Sequence, residues 1–525
     1  MGVSPPHPSL QSQYMRSLAF DTARRFTDPD DVLRTVFGFH EFRPGQRKII
    51  DAVLSGRDCI GLMPTGAGKS LTFQIPAKIL DGAVLVLSPL ISLMKDQVDA
   101  LARTGFRAAL LNSTLTPDER QRTLAQLRAG ALDIVYAAPE GLGEGLRATL
   151  AAARISLIVV DEAHCISHWG HDFRPAYRQL AGLKAQFGDI PILALTATAT
   201  RQVVGDVIRQ LGMRKPDGFK GSFFRPNLSI TTQKKGVGRE TRKDILALIG
   251  KHRGESGIVY CLSRRSVDDL TAWLRRNGVR ARAYHAGLSD EERTDSQNAF
   301  ARDEANVIVA TVAFGMGIDK SNVRFVIHRD LPRSLEGWYQ EIGRAGRDGL
   351  ESDCVLMYSW VDVLAYDRFG GEIDDPEFRA ATKHKTVQLF DLAESTRCRH
   401  QSLAAYFDEQ IERCGTSCDA CLGRDLGALL ASSYRMPNAR APAPAKVHID
   451  AEPNAELFEK LRTLRKSIAD AEHVPAYIVF SDAVLRGMAA SVPTSERELL
   501  AISGVGPVKL ERYGERFLAL LRSVS

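Results

Sequence analysis

Residues 59–70 read Cys-Ile-Gly-Leu-Met-Pro-Thr-Gly-Ala-Gly-Lys-Ser, and they restrict the possible folds more than any other stretch. A short apolar run ends in a glycine-rich turn, and an amphipathic segment follows. That is the order of a buried strand, a tight loop and a helix. Gly66 and Gly68 let the backbone turn so that successive amide N–H groups point inward at phosphate oxygens. The start of the following helix adds its positive end. Thr65, Gly66, Ala67 and Gly68 would form the cradle. Lys69 would reach the β- and γ-phosphates of a nucleotide, and Ser70 would ligate magnesium. Met63 stands where the strict G-x-x-x-x-G-K-[ST] pattern has its first glycine. Alone, the turn is also compatible with an ordinary glycine-rich loop, so a second half-site is needed.

That half lies at 155–164, Ile-Ser-Leu-Ile-Val-Val-Asp-Glu-Ala-His. The β-branched run reads as a buried parallel strand. It delivers Asp161 and Glu162 to its C-terminal end, where open α/β sheets place ligands. Asp161 would hold magnesium, directly or through water, and Glu162 would orient and deprotonate an attacking water. Phosphoryl transfer also needs cations for the developing charge. The segment 339–349, Tyr-Gln-Glu-Ile-Gly-Arg-Ala-Gly-Arg-Asp-Gly, supplies Arg344 and Arg347 three apart on one side of a helical turn.

Short apolar runs alternate with helical patterns over two blocks. The first contains 83–87, 132–136, 155–160 and 192–195; the second contains 256–260, 279–284, 307–310 and 323–327. Strand–helix alternation predicts an α/β protein with parallel sheets covered by helices on both faces. The expected organisation is an N-terminal flexible arm at 1–27, a first lobe at 28–221 and a second lobe without its own P-loop at 222–360. A helical metal-binding module at 361–424, a Pro/Ala-containing linker at 425–454 and a compact helical unit at 455–525 complete it. No run approaches the roughly 18 apolar residues of a membrane span, and the N-terminus lacks an apolar signal region. A cytoplasmic, nucleoid-associated protein is therefore expected. The net charge of +6 agrees with a nucleic-acid partner without requiring one.

Four of the eight cysteines fall close together, at Cys398, Cys414, Cys418 and Cys421, spaced C-x15-C-x3-C-x2-C. Four thiolates make a closed tetrahedral site, so the predicted ligand is a structural zinc. His400 is a spare nitrogen ligand.

DEAH at 161–164, Ala-Leu-Thr-Ala-Thr-Ala-Thr at 194–200 and QEIGRAGRDG at 340–349 resemble a superfamily 2 helicase, and three further segments resemble the RecQ family. Phe37-Gly-Phe-His-Glu-Phe-Arg-Pro-Gly-Gln46 is similar to that family's adenine-reading motif. By this likeness Gln46 reads the adenine edge while Phe39 and Arg43 pack on the ring. Cys165-Ile-Ser-His-Trp-Gly-His-Asp-Phe-Arg174 resembles its aromatic-rich loop, with Trp169, His171, Phe173 and Arg174 as DNA contacts. The cysteine cluster is the third segment. The resemblance spans about 28–424 and implies ATP as substrate, two RecA-like lobes, single-stranded and forked DNA as partners, and 3′→5′ unwinding in repair or recombination. A monomer is expected, with a single-strand-binding protein or repair factors as further partners. Ser88–Lys95, Asn112-Ser113, Cys261–Arg264, His285–Gly287 and Thr311–Gly317 resemble segments that hold a single strand. Thr196 and Thr198 would link the nucleotide site to the DNA side, or cap a helix.

The tail at 455–525 looks like an HRDC domain, with Leu457, Leu461, Leu464 and Ile468 on one apolar face. Gly504-Val-Gly-Pro507 resembles a turn with amides free for phosphate, and equally a tight interhelical turn. The winged helix of larger RecQ proteins needs on the order of 100 residues, and the stretch after Cys421 is too short for it. A DNA-stimulated translocase that unwinds weakly is therefore the alternative reading. A non-enzymatic DNA binder and a DEAH-type RNA helicase are weaker rivals.

Overall fold

The computed structural model describes residues 26–89, 91–112, 114–167, 170, 172–236, 238–315, 320–369, 376–431, 454–472 and 474–524. The first lobe is built on seven strands: β1 (Cys59–Leu62), β2 (Ala83–Leu87), β3 (Ala108–Leu111), β4 (Ile134–Ala137), β5 (Ile155–Val160), β6 (Ile192–Thr196) and β7 (Asp217–Lys220). They form one parallel sheet in the order β3-β4-β2-β5-β6-β1-β7. Successive side chains of a strand face opposite sides, so the apolar run of β5 divides between two cores. Ile158 and Val160 join one face, Leu157 and Val159 the other. Each such fully buried aliphatic side chain contributes about 1.5–3 kcal/mol.

The second lobe repeats the plan with β8 (Leu228–Lys234), β9 (Ser256–Tyr260), β10 (Ala281–Tyr284), β11 (Val307–Ala310), β12 (Val323–His328) and β13 (Ser352–Tyr358), ordered β10-β11-β9-β12-β13-β8 and again all parallel. Two expected strands start later than their apolar runs. Asp133, ahead of β4, is clamped by Lys78 at 2.9 Å and by Arg107. Val279, ahead of β10, donates its N–H to Leu274 and so closes the preceding helix.

The helix Pro376–Glu394 lays Leu389, Leu392 and Ala393 into the second lobe's core, which Cys398, Leu403, Phe407 and Cys418 also join. Ile230 on edge strand β8 forms a bridge with Cys418, and its N–H donates to Ser417 O at 3.0 Å. The metal module thus covers a sheet edge that would otherwise expose unpaired backbone.

The expected linker is not wholly a linker. Its start forms a helix, Leu426–Ala431, because Leu426 is buried against the second lobe and Leu429 and Leu430 pack beside it. Residues 432–453 and 1–25 of the expected arm lie outside the described residues.

The C-terminal unit is all-α. Its core gathers Leu457, Leu461, Ile468, Phe480, Leu485, Met488 and Phe517, and the expected face member Leu464 packs at its margin. Arg465 is fully buried inside it, donating to Phe480 O at 2.8 Å and pairing with Asp482 at 2.7 Å. The unit rests on both lobes. Arg462 donates to Gly254 O at 2.6 Å, and Gly504 N–H reaches Gly38 O at 3.4 Å. Gly38 ends the helix Pro29–Phe37 in the left-handed conformation (φ 71°), and a Cβ there would stand 2.3 Å from Gly506 Cα. The Gly504–Pro507 turn is therefore an interdomain contact, its Gly504 amide facing the first lobe while that of Val505 turns back to Ile502 O. No helix among the described residues is long and apolar enough to cross a membrane.

Candidate nucleotide site and interlobe cleft

Strand order sets the site. With β6 between β1 and β5, the turn after β1, the Thr196–Thr198 segment and the acids after β5 stand in a row at one end of the sheet. Gly66 and Gly68 have φ of 85° and 79°, a region that side chains other than glycine's rarely enter. Gln46 is buried against this turn. Its Nε2 donates to Gly68 O at 2.9 Å, and its Oε1 accepts from Arg43 N at 2.8 Å. Arg43 donates to Gly66 O. Burial lowers the Arg43 pKa, and Asp348 of the second lobe opposes that shift. Phe39 packs instead on Val32, Leu33 and Ile50. Lys69 Nζ lies 3.3 Å from Met63 O, Ser70 precedes the helix Leu71–Ala77, and Thr65 and Ala67 complete the turn.

Asp161 and Glu162 follow β5. Desolvation first, then the neighbouring Glu162 charge, push the Asp161 carboxyl up to about 7, while Lys69 pulls it back. A desolvated carboxylate this poorly compensated, in the field of Lys69, suits a divalent cation. Glu162 itself adopts φ 47°, a left-handed conformation costing on the order of 1–3 kcal/mol outside glycine. His164, wholly buried, brings Nδ1 within 2.9 Å of Thr196 Oγ1 and 3.4 Å of Glu162 Oε2. Thr196 Oγ1 donates to Thr198 O at 3.1 Å, so it accepts from His164 and Nδ1 carries the proton. Thr196 thus links the DEAH turn to the next segment; Thr200, not Thr196 or Thr198, holds the N-cap position of the following helix, without a side-chain capping bond.

The second lobe meets the turn directly. A Cβ on Gly66 would stand 3.5 Å from Arg347 Cγ, and one on Gly343 would stand 3.0 Å from Thr65 Cβ. Arg344 is buried and points elsewhere, against Gly315 and the Tyr260 hydroxyl. The two arginines therefore face different neighbours.

In the aromatic segment, Arg174 is held by Asp172 at 3.1 Å and by Pro89 O at 3.1 Å, which ties that segment to 88–95. Phe173 packs under Arg178, 5.1 Å from its guanidinium. Trp169 and His171 lie outside the described residues, as do Leu90, Ser113, Met316 and Gly317 of the segments expected to hold a strand. Gly170 sits so close to the DEAH turn that a Cβ would lie 2.5 Å from His164 O. Asn112 folds on Thr114, while His285 pairs with Asp268 and approaches Gly287 and Arg264.

The sulfurs of Cys398, Cys414, Cys418 and Cys421 all lie within 4.8 Å of one another. Cys414 and Cys418 are 3.4 Å apart, Cys418 and Cys398 4.0 Å. Zinc–sulfur bonds of about 2.3 Å imply tetrahedral edges of about 3.8 Å, so the four thiols fit zinc. His400 is not a fifth candidate. Its Nε2 faces Leu228 O and Ser417 O, and burial lowers its pKa to about 4.

Sequence reasoning missed Arg225. From the segment joining the lobes, it donates to Thr65 O at 2.7 Å and to Gly346 O at 2.9 Å. The one hint is an Arg-Pro step in a stretch without periodicity.

Two tandem parallel-sheet lobes with a P-loop and DEAH acids on one side of a cleft, and an arginine turn on the other, define the DEAD/DEAH-box helicase class. The DEAD/DEAH box helicase family matches residues 43–207 and the helicase conserved C-terminal domain matches 240–349. Yeast Dbp5 bound to RNA and ADP BeF3 shares the two-lobed fold, with a TM-score of 0.51 at 17% identity over 66% of this chain and 94% of that one. Within that class the chain belongs to the RecQ family. The RecQ zinc-binding domain matches 360–422 and the HRDC domain 454–521. The ATP-dependent DNA helicase RecQ of Haemophilus influenzae is 38% identical, covering 94% of this chain and 95% of the relative. That of Bacillus subtilis is 36% identical over 93% and 97%. The Haemophilus alignment runs over 591 positions against 525 residues here, so the relative carries residues without a counterpart in this chain.

Proposed function

We propose that this chain is an ATP-dependent DNA helicase that moves 3′→5′ along single-stranded DNA and opens duplexes during repair or recombination. The carrying observation is the glycine turn, which has Asp161, with Glu162 beside it, in the field of Lys69 on one side and Arg347 of the second lobe against Gly66 on the other, with His164–Thr196 leading away from it. Gln46 and Arg43, seated on the turn, select the base. Lys69 and the turn's amides hold the β- and γ-phosphates. Ser70 and Asp161 would hold magnesium, which neutralises phosphate charge. Glu162 orients the attacking water and takes its proton, and Arg347 offsets charge that develops on the transferred group. Arg344, buried against the 311–315 segment, connects that segment to the same turn. Phe173 and Arg174, with Trp169 and His171, would read the bound strand by stacking.

The short connection between the zinc and HRDC domains leaves no room for a winged helix, so strand separation falls to the motor and its docked C-terminal unit. Unwinding of a 3′-tailed duplex, but not a 5′-tailed one, tests this, with Lys69→Ala as control. Loss of unwinding in the control and strict dependence on the 3′ tail are expected. DNA-stimulated ATP hydrolysis without strand separation would replace the helicase reading with that of a translocase. Equal stimulation by RNA would overturn the DNA assignment.

A further inference from the structure

The segment joining the two lobes touches the P-loop and its strand, the arginine turn and the zinc module. Gly221 N–H donates to Leu62 O at 2.7 Å, at the end of the strand that leads into the P-loop. Phe223 stacks on Phe407 of the zinc module, centroids 4.3 Å apart and planes 8° from parallel, and its N–H donates to Glu409 at 2.6 Å. Tyr339, on the helix before the arginine turn, donates its hydroxyl to Phe223 O at 3.0 Å.

Arg225 is the central member. Nη1 donates to Thr65 O inside the P-loop at 2.7 Å. Nη2 donates to Ala345 O at 3.2 Å and Gly346 O at 2.9 Å, the carbonyls between Arg344 and Arg347. Nε donates to Asn227 Oδ1 at 3.2 Å, and Asn227 in turn donates to Gly346 O and Leu350 O. All these acceptors are neutral oxygens. Burial lowers the Arg225 pKa, with Arg347 and Arg43 adding to the effect. Three guanidinium groups therefore crowd one glycine turn, and a bound polyphosphate is the anion that would relieve them. A rigid planar fork suits this place because its two ends can be shared between two lobes, which a lysine's point charge cannot reproduce.

We propose that Arg225 is a positioning residue that latches the arginine turn 343–349 onto the P-loop, so that cleft closure and the placement of Arg347 are one event. This rests on the reading of Arg347 as the cation for phosphoryl transfer. Arg225 spans the gap with its own side chain, so an altered P-loop backbone is transmitted to Gly346 without any contact between Arg225 and the reacting atoms.

The test uses the full chain with a donor–acceptor dye pair, one dye on each lobe, and the Arg225→Ala, Arg225→Lys and Arg347→Ala variants. Closure is read by energy transfer on adding ADP–beryllium fluoride, nucleotide affinity by a fluorescent ADP, and turnover by DNA-stimulated ATP hydrolysis. Misplacing a reacting group by about 1 Å can cost roughly 100-fold. Arg225→Ala should therefore keep ADP affinity within about twofold, lose most of the closed population and drop kcat by roughly 10- to 100-fold. Arg225→Lys keeps the charge and should restore neither closure nor kcat. Arg347→Ala should close normally and fail to turn over. Normal closure and kcat in Arg225→Ala would overturn the latch, as would full rescue by lysine. Undiminished turnover in Arg347→Ala would instead remove the reading on which the latch rests, whatever the Arg225 variants do. If Arg225→Ala does not fold, closure and kcat in Arg225→Lys decide.

Discussion

Replacing Thr196 by valine keeps the shape of the side chain and deletes one hydroxyl. That hydroxyl is fully buried and accepts from His164 Nδ1 at 2.9 Å and from Thr198 N at 3.2 Å, while donating to Thr198 O. The valine leaves a buried ring N–H and a buried backbone N–H without this acceptor. Each such group costs about 1–3 kcal/mol, and relaxation of the segment recovers part of it. A loss of about 3 kcal/mol from the first lobe is expected. In a unit of 150–250 residues each kcal/mol moves Tm by about 2–4 °C, so the lobe should melt roughly 6–12 °C lower. The same bonds join the DEAH turn to the 196–198 segment, the link proposed above between the acids and the DNA. Basal ATP hydrolysis should therefore persist while its stimulation by single-stranded DNA falls about tenfold, an effect worth about 1.4 kcal/mol in the barrier. Differential scanning fluorimetry and ATPase assays with and without DNA read both quantities. A Tm within 2 °C of wild type, by the same scale, together with full DNA stimulation, would refute the reasoning.

Zinc should be present at one per chain by atomic absorption, and Cys418→Ser should lose it and free edge strand β8, seen as faster hydrogen exchange at Ile230. Gly170→Ala places a methyl 2.5 Å from His164 O, so it should lower DNA-stimulated ATPase several-fold with little change in fluorescent-ADP binding. Unchanged stimulation would detach the aromatic loop from the DEAH turn. His252 lies between Glu255 and Asp353, each at 2.8 Å. Burial alone would lower its pKa, but the two hydrogen bonds outweigh burial and raise it. A raised pKa stabilises fully below the unfolded value of about 6.5 and is lost as pH rises through the folded one. His252→Gln should therefore lower Tm more at pH 6 than at pH 8.5, and the opposite order would exclude this pairing.

The parts that sequence shows are those whose chemistry is local. Gly66, Gly68, Lys69 and Ser70 are close in sequence, and the β5 run carries Asp161 and Glu162 at its end, so the row of candidate groups is legible along the chain itself. The cysteine cluster is local too, apart from its first member. Strands β7 and β8 are not legible in this way. β7 (Asp-Gly-Phe-Lys) has no apolar run because it is an edge strand paired only with β1, and β8 is polar along half its length for the same reason. The different surroundings of Arg344 and Arg347 depend on which side of a turn each leaves. Arg225 contacts residues 120 and 160 positions away, distances over which no periodicity carries information. The helix at 426–431 is hidden because its few leucines make sense only against a neighbouring lobe.

The meeting of Gly38 with Gly506 bears on how such a chain can be rebuilt. Domains joined by a linker are ordinarily interchangeable parts. Here the two backbones touch where neither position has room for even a methyl group, so the C-terminal unit fits only a motor in which the helix matching Pro29–Phe37 ends in glycine. Grafting a homologous C-terminal unit onto this motor, or this unit onto another motor, succeeds as a docked assembly only when both glycines travel together. A graft that carries one of them yields two folded halves on a tether. The pair thus acts as one structural unit although more than 400 residues separate its members.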